Sequence, residues 1–294
     1  MHHHLCERCL QRRESEREAR DVVTPDEAKA RATFAYNAAA DSYDAASNSF
    51  WDRFGRRTVE RLDLGPGAHV LDVCCGTGAS AIPAAERVGP NGSVTGIDLA
   101  EKLLEHARLK ARQRGLENVE FRAGDMLALE LPARFDAVIC VFGIFFVPDM
   151  AGAVQELWRM VRPGGQLAIT TWGPRFFEPV NAEFWNAVRA VRPDLFKGFN
   201  PWDRITDPAA VRGLFSDTSP ETLQVVAEAR THPLRTADDW WPMVLGSGYR
   251  GTIELLDPEG RSKVKSDSLA FIRRAGVESV EANVVYAVAT KQSS

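Results

Sequence analysis

The run Val70-Leu71-Asp72-Val73-Cys74-Cys75-Gly76-Thr77-Gly78-Ala79-Ser80-Ala81 decides the fold. An apolar segment reaches an acid, passes through a glycine turn and opens a small-residue segment able to start a helix. Strand, tight loop and helix in that order hold a nucleotide-like ligand at the edge of a parallel sheet. Gly76 and Gly78 admit dihedrals closed to other residues and let the backbone approach a ligand.

The loop alone leaves two ligand classes open. Gly76-x-Gly78-x-x-Ala81 fits the dinucleotide fingerprint, and Asp98 follows at the distance of a ribose-binding acid. Asp72, before the loop, argues against a pyrophosphate, which a fixed negative charge in a dry site would repel. An amino-acid ammonium or a sulfonium is attracted instead. Acid, loop and ribose acid together suit S-adenosylmethionine better than a nicotinamide dinucleotide.

Outward from this run, strand and helix patterns alternate. Residues 94–97 form a short strand ending at Asp98, and Leu103, Leu104, Ala107 and Ala111 give one helix face that stops at Gly115. Residues 119–123 are a third strand, ending in Gly124-Asp125-Met126. Residues 135–140 are nearly all apolar, as a strand covered on both faces should be. Val154, Leu157, Trp158 and Val161 mark a helix ended by Arg162-Pro163-Gly164-Gly165, and residues 167–172 are a fifth strand. Such alternation predicts a doubly wound sheet with its ligand at the carboxyl ends of the strands.

The flanks read differently. Thr24-Pro25-Asp26-Glu27 is a helix start; Phe34, Ala38 and Tyr43 share one face, and Phe50, Trp51, Phe54, Val59 and Leu62 another. Residues 174–222 are rich in Pro, Phe and Trp, with a helical piece at 182–191, and read as a cap over the carboxyl edge. Residues 223–229 and 284–290 look like closing strands, with helices expected at 237–245 and 262–275. The expected fold is α/β: a doubly wound, Rossmann-like, seven-stranded, mostly parallel sheet with an N-terminal helical layer and an inserted helical cap. The expected divisions are a disordered tail (1–28), the helical layer (29–63), the cofactor-binding core (64–175), the cap (176–222) and closing strands and helices (223–294).

Composition sets the outer bounds. The chain has 294 residues, 45% hydrophobic and 26% charged, as in a globular domain with a well-buried core. A net charge of −4 gives no basic field to collect nucleic acid or an anionic membrane. No apolar run suggests a membrane span, and no apolar signal core opens the chain, so a cytoplasmic setting with free thiols is expected. His2, His3, His4, Cys6 and Cys9 lack a second ligand pair at zinc-site spacing, so no metal site is expected.

With Asp72, Asp98 and Asp125 at three strand ends, the sequence resembles class I S-adenosylmethionine-dependent methyltransferases. It is most similar to the ubiquinone/menaquinone biosynthesis C-methyltransferase branch. The resemblance rests on residues 70–78, Gly96-Ile97-Asp98-Leu99, Gly124-Asp125-Met126, Phe135-Asp136-Ala137-Val138 and Leu157-Trp158-Arg159-Met160-Val161-Arg162-Pro163-Gly164-Gly165, with 34–43 like the branch's N-terminal segment. It implies that Gly76 and Gly78, with Cys74 and Thr77 beside them, lie against the methionine part of the cofactor. Asp98, flanked by Leu99, would take the ribose hydroxyls, and Asp125 the adenine amino group, with Met126 beside the ring. Asp72 would lie near the methionine ammonium. Cys140, Val141 and Phe142 would flank the methyl-bearing end, and the helices carrying Tyr36 and Tyr43 would cover the donor. Cys74 departs from the glycine that many members place there.

The resemblance implies a methyltransferase that uses S-adenosylmethionine, releases S-adenosylhomocysteine and acts on a small aromatic or quinone-like acceptor. The apolar segment Val141–Val147 lacks the polar-Pro-Pro-aromatic step of the base-methylating members, which speaks against nucleic acid. His232 is the candidate catalytic base, and the Phe145-Phe146, Phe176-Phe177 and Trp240-Trp241 pairs are candidate pocket walls. A homodimer is left open. The alternative is a cofactor-binding protein of the same fold that does not transfer methyl groups, with a nicotinamide-dependent oxidoreductase a distant third.

Overall fold

The computed structural model describes residues 24–129, 131 and 135–293. The tail, with His2, His3, His4, Cys6 and Cys9, lies outside the described residues up to position 23. Helix α1 (Pro25–Tyr43) starts with a reciprocal cap: the Thr24 hydroxyl accepts from the Glu27 amide at 3.3 Å, and the Glu27 carboxylate accepts from the Thr24 amide at 3.0 Å. Residues 25–28, which composition groups with the tail, are the first turn of this helix. Its buried face is Ala35, Ala39, Ala40 and Tyr43; Phe34, expected inside, is 54% exposed. Small residues win that face because the helix lies close to its neighbours. A Cβ on Gly251 would stand 3.0 Å from the Ala35 Cβ.

Helix α2 (Phe50–Val59) buries Phe50, Trp51, Phe54 and Val59, as its periodicity requires. It rests on the glycine loop itself: a Cβ at Gly55 would sit 2.3 Å from the Ala79 carbonyl oxygen. The main sheet comprises β1 (His69–Val73), β2 (Ser93–Asp98), β3 (Val119–Ala123), β4 (Phe135–Val141), β5 (Val161–Trp172), β6 (Thr222–Glu228) and β9 (Val284–Thr290). Their order is β3-β2-β1-β4-β5-β9-β6, and β9 alone runs antiparallel to its neighbours. The order reverses between β1 and β4, where a crevice opens at the carboxyl ends. Registers Val73↔Ile97 and Val73↔Cys140 bring the ends of β2, β1 and β4 level.

Side chains alternate across the sheet into two apolar layers. Val70, Ile139 and Ala168 pack on one side with Ile82, Ala85 and Val88 of α3 (Ala81–Val88) and Leu104 of α4 (Glu101–Gln113). Leu71, Val73, Val138, Cys140, Leu167 and Ile169 pack on the other, with Leu157 of α5 (Met150–Met160). Strand β5 begins at Val161, earlier than its apolar run predicts, because Phe135 pairs with Val161 ahead of a register shift. A second sheet, β7 (Thr231–Pro233) with β8 (Ser279–Glu281), is too short to show a sequence period.

The expected cap is not over the cavity. Helix α6 (Val180–Val191) packs on α8 (Pro258–Ala275). Phe176, Phe177, Phe184, Trp185 and Trp202 are buried with Trp240 of α7 (Trp240–Leu245) and with Tyr249. Phe176 stacks on Phe177 at 3.9 Å between ring centroids and Phe184 on Tyr249 at 4.8 Å. These rings bury one another beyond the end of β5, which leaves no apolar face for a ligand. The element that covers the strand ends is α1.

Candidate active site

One cavity lies under α1 at the carboxyl ends of β1 to β4. Its floor is the loop after β1, in which alternate residues take positive φ: Cys74 at 55°, Gly76 at 53° and Gly78 at 85°. Glycine supplies two of these without cost, whereas a cysteine at positive φ is strained. A glycine at this first position would hold the same conformation without that strain. Here the Cys74 side chain fits because Gly143 faces it; a Cβ at Gly143 would lie 2.5 Å from the Cys74 Cβ. The Cys74 Sγ also reaches the Met126 Sδ at 3.6 Å.

Asp98 ends β2 and joins the loop to the next turn. Its carboxylate accepts from the Gly76 amide at 2.9 Å and from the Ala100 amide at 2.8 Å. Burial raises its pKa, against the pull of these amides. Both oxygens keep a lone pair for a ligand hydroxyl. Asp125 follows β3; one oxygen accepts from the Leu127 amide at 3.0 Å, the other from the Lys29 ammonium at 3.0 Å. Lys29 was not singled out in the sequence, since a lysine in a polar helix carries no periodic signal.

Of the residues expected around the cofactor, Tyr36, Tyr43, Cys74, Gly76, Asp98, Leu99, Asp125, Met126, Val141 and Phe142 line this cavity. Four others do not. Asp72 alternates with Leu71 and Val73, which puts it on the α3 side of the sheet, where it accepts from the Ser80 hydroxyl at 2.7 Å. There burial pushes its pKa up to about 7, with the Ser80 hydrogen bond pulling the other way. Its expected contact with a ligand ammonium is therefore replaced by a support role under the loop. Thr77 is buried and turned away from the cavity, donating to Asp44 at 2.7 Å and accepting from Lys110 at 3.0 Å. Gly78 faces Ile82 and Phe121, and Cys140 is buried beneath Gly143.

His232, the expected base, is also outside the cavity. It is buried in β7, with Nε2 2.8 Å from the Ser47 carbonyl oxygen and its ring edge-on to Phe50. Burial lowers its pKa, so it sits as a neutral packing residue. Of the aromatic pairs offered as pocket walls, Phe146 alone reaches the cavity.

The cavity is divided by chemistry. Asp26, Lys29, Asp98 and Asp125 stand on the β2–β3 side, and the β1–β4 side is closed by Tyr36, Tyr43, Trp51, Phe142 and Phe146. Tyr43 stacks on Trp51 at 5.0 Å and 4°, Trp51 meets Phe142 edge-on, and Phe142 stacks on Trp172 at 4.0 Å. Phe142, at φ 55°, is a second strained residue on the rim. Its amide donates to the Thr170 carbonyl at 2.8 Å, which fixes the turn.

Comparison with known proteins agrees with this geometry. Residues 70–165 match the family described as a methyltransferase domain. Aklanonic acid methyltransferase DauC of Streptomyces sp. (strain C5) is 38% identical over 144 residues, 49% of this chain and 66% of that protein. Demethylmenaquinone methyltransferase of Listeria welshimeri is 40% identical over 117 residues, 40% of this chain and 50% of that protein. The chain thus spans between half and two thirds of the length of these relatives. The crystal structure of the YcgJ protein of Bacillus subtilis shares the fold, with a TM-score of 0.54 at 20% identity over 82% of this chain and 100% of that one. With its glycine loop, strand-end acids and sheet order, the segment 70–165 is a methyltransferase domain on a Rossmann-like fold.

Proposed function

We propose that the chain transfers a methyl group from S-adenosylmethionine to a small, planar, apolar acceptor of aromatic or quinone-like character. The observation that carries this reading is the division of the cavity, with carboxylates at the β2 and β3 ends and stacked rings at the β4 end. The residues present fit the donor. Asp98 would take a ribose diol and Asp125 an exocyclic amine, and Gly76, on which the Tyr43 hydroxyl closes, puts no side chain into the cavity floor. The two relatives are named for aklanonic acid and demethylmenaquinone, which suits a ring-binding wall.

The bound sulfonium supplies an already activated methyl group, so in-line alignment is the main demand on the protein. The rings of Trp51, Phe142 and Phe146 hold a flat acceptor and exclude water, and α1 closes above. Holding two reactants in line is worth on the order of 7 kcal/mol or more. Isothermal titration with S-adenosylhomocysteine, followed by a methylation assay over aromatic acids, phenols and quinols, tests the proposal. Cofactor binding without methylated product from any of them would return the chain to the non-transferring alternative.

A further inference from the structure

We infer that Lys110 is a positioning residue for the donor's amino-acid end, acting on the cavity through Thr77, Asp44 and Asp52. This role deepens the proposed function and rests on it. The Lys110 ammonium, on α4, donates to the Thr77 hydroxyl at 3.0 Å and to the Asp44 carboxylate at 3.1 Å, and lies 3.5 Å from the Asp52 carboxylate. The Thr77 hydroxyl donates in turn to the same Asp44 oxygen at 2.7 Å. One nitrogen thus joins the glycine loop, the residue that follows α1 and the first turn of α2.

None of these four side chains lines the cavity, yet three of them directly follow a residue that does: Thr77 follows Gly76, Asp44 follows Tyr43 and Asp52 follows Trp51. Those three cavity residues meet in one corner. Tyr43 lies flat on Trp51, and a Cβ on Gly76 would stand 3.3 Å from the Tyr43 hydroxyl. Strand order β3-β2-β1 puts this corner next after Asp125 and Asp98. A donor with its adenine at Asp125 and its ribose at Asp98 therefore brings its amino-acid chain here. Thr77 is fully buried, so its hydroxyl has no water to turn to, and Asp44 and Lys110 fix its direction.

Charge decides what happens when the ammonium is lost. Asp44 and Asp52 both lie within 3.5 Å of it, so without Lys110 two carboxylates are left to repel across one vacated point. Lys110 and Asp44 are largely withdrawn from water, with side chains 20% and 29% accessible, which weakens screening. The segments carrying Tyr43 and Trp51 then part, and Thr77 no longer holds the loop beside Gly76. The effect is confined to one end of the donor. Asp125, on the adenine side, is held by Lys29 and the Leu127 amide, independently of Lys110.

The test is isothermal titration of S-adenosylhomocysteine and of 5′-methylthioadenosine, which keeps the nucleoside and thioether and lacks the amino-acid chain. Lys110→Met should weaken S-adenosylhomocysteine about tenfold and 5′-methylthioadenosine by no more than about twofold. Thr77→Val, similar in shape but without the hydroxyl, should do the same, whereas Thr77→Ser should stay within about threefold of the parent for both ligands. The two Thr77 variants carry the comparison should Lys110→Met fail to fold. An unchanged S-adenosylhomocysteine affinity, an equal loss for both ligands, Thr77→Ser as weak as Thr77→Val, or no binding of 5′-methylthioadenosine to the parent at millimolar concentration would overturn the inference. Failure of S-adenosylhomocysteine to bind the parent protein would instead overturn the proposed function, and the inference with it.

Discussion

The Lys29 ammonium of α1 lies 3.0 Å from the Asp125 carboxylate at the end of β3, so one ion pair ties the cavity cover to the sheet edge. The pair is partly exposed, with Lys29 41% and Asp125 22% accessible, and such pairs are worth about 1 kcal/mol or less. Lys29→Met should therefore leave global stability nearly unchanged. It should also speed amide hydrogen exchange in residues 25–36 and weaken S-adenosylhomocysteine by no more than about fivefold. A variant with parental exchange in that segment would show that α1 is held by its alanine face alone.

Asp98 has two tasks, since the carboxylate meant for a ribose diol also holds the loop amide of Gly76 and the amide of Ala100. Asp98→Ala should reduce S-adenosylhomocysteine affinity tenfold or more, a loss of about 1.5–3 kcal/mol for hydrogen bonds to a charged group. The melting temperature without ligand should fall as well. Asp98→Asn should share the second effect, because its amide nitrogen cannot accept from a backbone N–H. Isothermal titration and calorimetry separate the two; an unchanged affinity would move the ribose contact elsewhere.

Asp72 predicts a pH effect of definite sign. Its pKa rises from 3.8 to about 7 on folding because it is buried, so between those values the folded chain holds a proton that the unfolded chain has lost. Stability contributed by this group is thus full below pH 4 and falls as pH rises toward 7. Asp72→Asn keeps an acceptor oxygen for Ser80 and carries no charge. Its stability relative to the parent should increase from pH 5 to pH 8, by an amount of order a few kcal/mol. Urea denaturation at several pH values measures this, and a difference independent of pH would reject it.

How much of this was legible in sequence depends on the range of the interaction. The glycine loop and Asp98 are local signals, fixed by strand, turn and spacing, and they point to the sheet edge at which the cavity lies. The face of the sheet on which Asp72 falls depends on which helix covers that side, which one strand cannot reveal. The Lys29–Asp125 pair joins residues 96 positions apart, and neither end announces the other. The aromatic run from Phe176 to Trp202 predicts a ligand cover, yet its rings are satisfied by Trp240 and Tyr249 from later in the chain. Bulk apolar residues report that burial will occur and not what will bury them.

Cys74 and Gly143 share one space. Cys74 holds φ 55°, a conformation costing a residue with a Cβ about 1–2 kcal/mol relative to glycine. Its Cβ and Sγ occupy the volume that a Cβ on Gly143 would need, at 2.5 and 2.7 Å. Gly143→Ala in the parent must therefore shift the loop or the β4 turn, and should destabilise by about 1–3 kcal/mol. Cys74→Gly alone should be close to neutral, since relief of backbone strain offsets the lost contact with Met126. Combined, the two changes should cost about 1 kcal/mol or more less than the sum of the single effects. The rescue is partial, because the Cys140 Sγ still stands 2.9 Å from the same point. A double-mutant cycle by chemical denaturation measures the coupling. Strict additivity would mean that Cys74 and Gly143 adapt independently, and that the cysteine at the head of the loop is not held by the turn after β4.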